Sequence, residues 1–241
     1  ISSADENNFW GKFSWHEPNP TRAMERFVNI PDMPQFEWEM AASGLAAIWA
    51  QENTRASLFD AMRRRETYAT TGPRMRVRVF GGWDFTDADL NSPDWVERGY
   101  LKGVPMGADL PLPPNIDQVP VFIIKPWKDP IGANLDRVQI VKGWLDTQGR
   151  THEKVFDIAL SDDRSVSPVT GKAPPVGTTV DLSKPTYRND IGEVQFTTRW
   201  TDPSFHIDEP SFYYVRVLEI PTPRWTAYDA AYFNLEMPAH V

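Results

Sequence analysis

The sequence predicts an α+β protein, with a strand-helix-strand unit over residues 44–72 followed by an antiparallel β-sandwich. Three observations lead there. Leu45-Ala-Ala-Ile-Trp-Ala50 is a continuous apolar run opened by Gly44 and followed by a capped helical pattern. After Gly72-Pro73 the pattern turns to period two: Met75, Val77 and Val79 alternate with Arg76 and Arg78. The chain also carries 22 prolines among 241 residues, which favours short strands and long connections over helices.

Taken in order, residues 1–18 mix polar and aromatic residues without a period and read as loop. Asn19-Pro20 is a helix start, with Asn at the cap and Pro at the first helical position. The predicted helix covers Thr21 to Val28 and stops before Pro31. Phe36, Trp38 and Met40 alternate with Glu37 and Glu39, so 35–40 reads as a half-buried strand. The run from Leu45 to Ala50 has the look of a strand buried on both faces. Thr54 is a helix cap, Leu58, Phe59 and Met62 share one helical face, and Arg63-Arg-Arg65 complements the C-terminal end of the helix dipole. Further strands are read at Val119–Trp127, Arg137–Leu145, Thr151–Leu160, Val194–Trp200 and Phe212–Ile220. Asp146-Thr-Gln-Gly-Arg150 is a hairpin signal. Residues 81–118, 161–190 and 201–210 read as long loops without a strong helix, and no internal repeat is present.

Composition narrows the function classes. The formal net charge of -8 disfavours a nucleic-acid partner, which needs clustered positive charge. No apolar run approaches the ~20 residues that span a bilayer, so no membrane partner is expected. With no cysteine, disulfides and thiolate metal sites are excluded, and either redox compartment is compatible, a periplasmic or secreted one included. The histidines His16, His152, His206 and His240 form no H-x-H or H-E-x-x-H spacing. His206-x-Asp208-Glu209 is the best metal-like cluster, but it lies in a Pro-flanked loop and lacks further ligands. Asp87-Ala-Asp89-Leu-Asn91 opens like a calcium loop and then fails, with Ser92 in place of the turn glycine and Arg98 in place of the bidentate Glu; a solvated loop with Asx turns explains it. Glu37 and Glu39 form a same-face carboxylate pair, for which a solvated strand face suffices. Trp127, Trp144 and Trp200 fall within apolar strand patterns and read as core.

Several longer segments carry a resemblance. They are Ala50-Gln-Glu-Asn-Thr-Arg55, Arg64-Arg-Glu-Thr-Tyr-Ala-Thr-Thr-Gly-Pro-Arg74, Gly103-Val-Pro-Met-Gly-Ala-Asp109, Asn134-Leu-Asp-Arg-Val-Gln-Ile-Val-Lys-Gly-Trp144 and Phe212-Tyr-Tyr-Val-Arg-Val-Leu-Glu-Ile-Pro-Thr-Pro-Arg-Trp-Thr-Ala-Tyr228. Together they resemble a bacterial domain-of-unknown-function family related to the PHP (polymerase and histidinol phosphatase) metallohydrolases. Thr67-Tyr-Ala-Thr-Thr-Gly72 also resembles the carbaryl-hydrolase-like branch. The resemblance implies a distorted (β/α) barrel in which His and Asp ligands hold divalent metal, zinc or manganese, that activates water against an ester or phosphoester.

The resemblance places those ligands upstream of this chain, so none is carried over and this chain alone is expected to bind no metal. It implies that residues 1–73 are the C-terminal remnant of the barrel and 74–241 the sandwich. The expected partners are the N-terminal hydrolase half of the same protein and a small-molecule substrate. Glu52 and Asn53 follow the first strand of the unit at the end that faces the active site in α/β barrels. They are candidates for the pocket wall. Arg65 and Arg74 flank the next strand and are candidates to bind a substrate anion or a scaffold carboxylate. Gln51 departs from the family pattern, which expects an acidic residue there, and Val241 falls short of the expected closing strand. The alternative is a non-catalytic β-sandwich module that binds glycans through exposed tryptophans; a purely structural domain is the third reading.

Overall fold

The computed structural model describes residues 19–30, 33–39 and 44–238, so the expected loop over 1–18 lies outside the described residues. Instead of a helix after Asn19-Pro20, Arg22–Met24 makes one 3-10 turn. The side chain of Asn19 is not its cap but makes an Asx turn just before it, accepting the Thr21 N–H at 2.9 Å. The chain then extends into β1 (Arg26–Ile30), which pairs antiparallel with β2 (Met33–Phe36). The segment before Pro31 is therefore a strand, because its backbone groups find a ladder partner in the next few residues. The strand expected over 35–40 ends at Phe36, and Glu37–Glu39 forms a 3-10 turn in which the Glu39 carboxylate accepts the Phe36 N–H at 2.8 Å. Glu37 and Glu39 are thus not a strand-face pair.

The strand-helix-strand unit is β3 (Leu45–Ile48), α1 (Arg55–Arg63) and β4 (Thr67–Thr70). Thr54 caps α1 as its sequence position predicts, accepting the Ser57 N–H at 3.3 Å. The strands, however, pair antiparallel, and β3 is half-exposed rather than buried on both faces. The run Leu45–Ala50 is half alanine, and so small an apolar content does not demand cover on two sides. On α1 only Ala61 is buried, while Phe59 is 56% and Met62 48% exposed.

The rest of the fold is two antiparallel sheets sharing a core. β5 (Arg76–Gly82), β6 (Gly103–Pro105), β7 (Val121–Trp127) and β10 (Thr198–Thr201) form one, in the order β10-β7-β5-β6. β8 (Leu135–Leu145), β9 (Thr151–Leu160) and β11 (Ser211–Glu219) form the other, in the order β11-β8-β9. Val77, Ile124, Leu135, Val138, Ile140 and Phe196 pack between them. The described residues close no barrel; the architecture is α+β and sandwich-like.

Two short helices, α2 (Asp87–Asn91) and α3 (Trp95–Lys102), cover the outer face of the four-stranded sheet. They bury Phe80, Phe85, Leu90, Trp95, Val121 and Ile123 in a second cluster. Covered on both faces, β7 reads as the near-continuous apolar run Val-Phe-Ile-Ile. These helices correct the expectation of a loop without helix over 81–118, and α4 (Trp225–Phe233) is a further helix after β11. The supposed calcium loop is α2 itself. Thr86 and Asp89 make a reciprocal capping box, and Asp89 is buried against the Lys102 ammonium at 2.6 Å. That ammonium, before the opposing effect of burial, holds the Asp89 carboxyl well below the usual carboxylate range.

α3 meets β5 at Gly99, where an added Cβ would stand 2.5 Å from the ring of fully buried Phe80. Trp95 and Tyr100 brace that ring edge-on at 5.7 and 5.1 Å, so it has no room to retreat. Gly99→Ala is expected to destabilise the protein by about 2 kcal/mol through overpacking, despite alanine's better helix propensity. A urea midpoint equal to or above that of the wild type would contradict this.

Candidate functional site

The two sheets meet along β9 and β10, where Phe156 and Trp200 lie 5.0 Å apart, and part on the side of β6 and β11. The parting leaves a groove of about 890 Å³. Val79 and Phe122 from one sheet, with Ile140 and Tyr213 from the other, form its apolar floor. Thr67–Thr71, including β4, and the 104–113 segment form one wall; residues 205–209 and β11, an edge strand, form the other.

The groove's shape follows from local sequence. In β11, Tyr213, Val215 and Val217 are half-buried towards the core, while Phe212, Tyr214 and Arg216 alternate outwards. The 104–113 wall is set by Gly107, at φ +82°, where an added Cβ would collide with the Arg65 carbonyl. Arg65 itself sits at φ 63° and its guanidinium reaches Asp109 at 3.4 Å. Trp83 fixes the same segment by donating its indole N–H to the Pro111 carbonyl at 3.0 Å.

The polar atoms of the floor are already engaged. The Tyr213 hydroxyl donates to Asp202 at 2.6 Å, and Lys142, 2% exposed, binds the same carboxylate at 2.7 Å. Burial, and then the bond to Asp202, pushes the Tyr213 hydroxyl up. Burial alone would raise Asp202, but Lys142, Tyr213 and the Ser204 N–H together hold it below the usual carboxylate range. This trio resembles a catalytic network in composition, yet every member is satisfied within the scaffold. The charged groups lining the groove, Asp109, Glu209 and Arg216, include no His and no Lys. Such a groove suits binding of an apolar or extended segment better than proton transfer.

The residues expected at a pocket wall do not converge. Glu52 and Asn53 follow β3 as predicted but are exposed, and the Glu52 N–H donates to Ser57 Oγ at 3.2 Å. Arg65 pairs with the scaffold carboxylate of Asp109. Arg74 is exposed, and its backbone N–H donates to Asp129 at 2.6 Å. None of the four lines the groove.

Of the histidines, His152 stacks on Trp144 with ring centroids 5.1 Å apart and bonds Asp146 at 2.8 Å. With the Arg150 N–H it holds the Asp146 carboxyl below its usual range. In 206–209, Glu209 reaches the groove but His206 and Asp208 are exposed and do not line it. His16 and His240 lie outside the described residues. Among the described residues no group of three or more His, Asp or Glu side chains is placed to hold a metal ion.

Two clusters escaped the sequence reading. Glu66, 3% exposed, receives Arg64 at 2.9 Å and the Tyr100 hydroxyl at 2.5 Å, with Arg78 at 3.9 Å. Glu219, at the end of β11, lies beside Asp129. Only the second left a sequence signal: residue 219 continues the inward alternation of 213, 215 and 217.

A family model described as a protein of unknown function, DUF3604, matches residues 1–241. That match carries no relation to the PHP metallohydrolases or to a carbaryl-hydrolase-like branch. No curated protein and no solved structure matches the chain. With its whole length matched by one model, the chain belongs to the DUF3604 family.

Proposed function

We propose that this chain is the C-terminal portion of a PHP-like metal-dependent hydrolase of esters or phosphoesters, serving as the part that packs against the hydrolase half. The observation that carries the reading is the apolar face of α1. Phe59 and Met62 stand about half exposed on a helix whose only buried residue is Ala61, which suits a helix that packs against a further layer. Divalent zinc or manganese, held elsewhere in the protein, would supply activated water and charge stabilisation. The described residues do not fit a metal site, and no hydrolytic step is assigned to them. Their role in this reading is to support the hydrolase half and, through the groove, to border its small-molecule substrate.

The test compares residues 1–241 with a protein that also contains the hydrolase half, assayed with ester and phosphoester substrates and zinc or manganese. Metal-dependent turnover is expected only from the longer protein. Turnover by residues 1–241, or none by the longer protein, overturns the reading. Phe59→Asp with Met62→Asp is expected to loosen the two halves in limited proteolysis without changing the melting of residues 1–241.

A second reading, a glycan-binding module, draws on β11. Phe212 and Tyr214 are 62% and 47% exposed on one face of the strand, a spacing suited to stacking on sugar rings. Among the described residues no tryptophan is exposed, so these two rings would replace the expected tryptophan row. Loss of oligosaccharide binding in Phe212→Ala with Tyr214→Ala would favour it.

A further inference from the structure

Among the described residues, one side-chain atom is both buried and without a hydrogen-bond partner: Oε1 of Glu219. Its surroundings are acidic. Asp129, in the turn after β7, is 8% exposed. Its Cγ and Glu219 Oε1 lie 3.4 and 3.5 Å from the point a Cβ on Gly132 would occupy, so both carboxyl groups border the space that the missing side chain leaves. Lys128 faces the pair from the same turn, but it directs its ammonium to the Gly132 carbonyl at 2.6 Å. Tyr187, from the 161–197 connection, faces both Glu219 and Asp129, and Tyr228, from α4, lies beside Tyr187. Burial, then the charge of Asp129, pushes the Glu219 carboxyl up to about 7 against the opposing charge of Lys128.

This cluster sits where separate parts of the chain are tied together. Asn134 donates its N–H to Asn189 Oδ1 at 2.8 Å and accepts the Ile220 N–H at 2.9 Å. Leu135 exchanges backbone bonds with Glu193 at 2.8 and 2.9 Å. Asp129 accepts the N–H groups of Ile131 at 3.0 Å and of Arg74 at 2.6 Å. Arg74 lies between β4 and β5, at the joint between the strand-helix-strand unit and the sandwich. Asp129 therefore has its donors, and Oε1 of Glu219 beside it has none. With Asp129 buried and Oε1 of the part-buried Glu219 shut away from water, the cheapest relief of the two adjacent charges is to turn Glu219 fully to water, which separates the segments packed over it.

We propose that Glu219 and Asp129 form a proton-operated latch at this joint, closed when Glu219 carries a proton and opened by carboxylate repulsion when it does not. The latch is independent of the hydrolase reading. The sign follows from the raised acid. Because the folded protein holds the Glu219 proton more tightly than the unfolded chain, closure is fully favoured below the ordinary glutamate range, weakens as pH rises through about 7, and levels off above it.

The test uses residues 1–241. Carbon-13 NMR follows the Glu219 carboxyl, and hydrogen exchange, corrected for intrinsic rates, is read at pH 6 and pH 8. Glu219 is expected to titrate near 7. Protection at the Arg74, Leu135 and Ile220 amides is expected to fall about ten-fold between the two pH values, the effect of one pKa unit. The amides of Ile140 and Val141 should hold. Glu219→Gln keeps the shape without the charge and should abolish the difference. An unchanged wild type, or a Gln variant that loses protection equally, overturns the latch. If the variant does not fold, the wild-type titration still decides, because a Glu219 midpoint below about 5 is an ordinary solvated glutamate and removes the device.

Discussion

Lys142→Met is expected to cost about 3–5 kcal/mol of stability, more than any surface change in the molecule. Lys142 lies on β8 directly opposite Tyr213 of β11, and its side chain and that of Asp202 are 2% and 0% exposed. Its ammonium also donates to the Ser204 carbonyl at 2.7 Å and lies 5.2 Å from the Trp144 ring centroid. Methionine fills the volume but leaves Asp202 buried with only neutral donors, the Tyr213 hydroxyl and the N–H and hydroxyl of Ser204. The pH dependence should change with it. In the wild type Asp202 is held below its ordinary value, so its contribution is present above the ordinary aspartate range and is lost as pH falls through the depressed folded value. In the variant Asp202 is an uncompensated anion that protonation relieves, so the deficit should shrink between pH 7 and pH 5. Asp202→Asn in the same background should recover part of the loss. Urea unfolding at both pH values measures all three effects, and a deficit below about 1 kcal/mol at pH 7 would show that the ion pair is dispensable.

The same residues show what was legible in the sequence. β5, β7, β8, β9 and β11 stand where alternation and apolar runs placed them, because half-buried strands carry their burial as a two-residue period. The β8–β9 hairpin is equally local. Asp146 accepts the N–H groups of Gln148 and Arg150, and Gly149 takes φ +79°, so the turn and both strand ends are encoded within five residues. The Thr54-capped helix α1 was equally local, whereas the other helices failed for a matching reason. α3 spans eight residues and is anchored by Trp95 and Gly99, whose value lies in the fit to Phe80 on a distant strand. The predicted helix after Pro20 lost to a β1–β2 ladder, a choice made by pairing rather than by propensity. The candidate site was the least legible part. Glu52, Asn53, Arg65 and Arg74 were carried by resemblance, and folding does not gather them around one cavity. Glu66 follows three arginines and looks like a solvated charge; its burial depends on Tyr100 and Arg78, 34 and 12 residues further on, and no local pattern records that.

Arg78→Met is expected to release the strand-helix-strand unit from the sandwich, at a cost of about 2–3 kcal/mol in local stability. Arg78 is the hub of their contact. Its guanidinium carbon lies 4.4 Å from the Trp49 ring centroid, next to β3, and 5.4 Å from that of Phe80 on β5. It donates to the Tyr100 hydroxyl at 2.7 Å, and that hydroxyl in turn donates to Glu66 at 2.5 Å. The guanidinium is planar, so one group stacks on an indole and donates in its own plane, a pairing methionine cannot reproduce. Trp49 would keep its bond to the Val77 carbonyl at 2.9 Å, and Tyr68 its bond to the Met75 carbonyl at 3.1 Å. Those are two neutral bonds, against a buried Glu66 left with Tyr100 and the half-exposed Arg64. Glu66 would then favour water, and reaching it requires β4 to lift from α3. The expected signature is regional: amides of residues 45–70 lose protection and Trp49 fluorescence shifts towards the red, while Ile124, Val138 and Ile140 keep wild-type protection. Pairing Arg78→Met with Glu66→Gln should restore part of the protection, because the stranded charge is gone. Uniform loss across both sheets would mean that the unit and the sandwich unfold as one cooperative block, and wild-type protection throughout 45–70 would mean that the joint is held by the two neutral bonds alone.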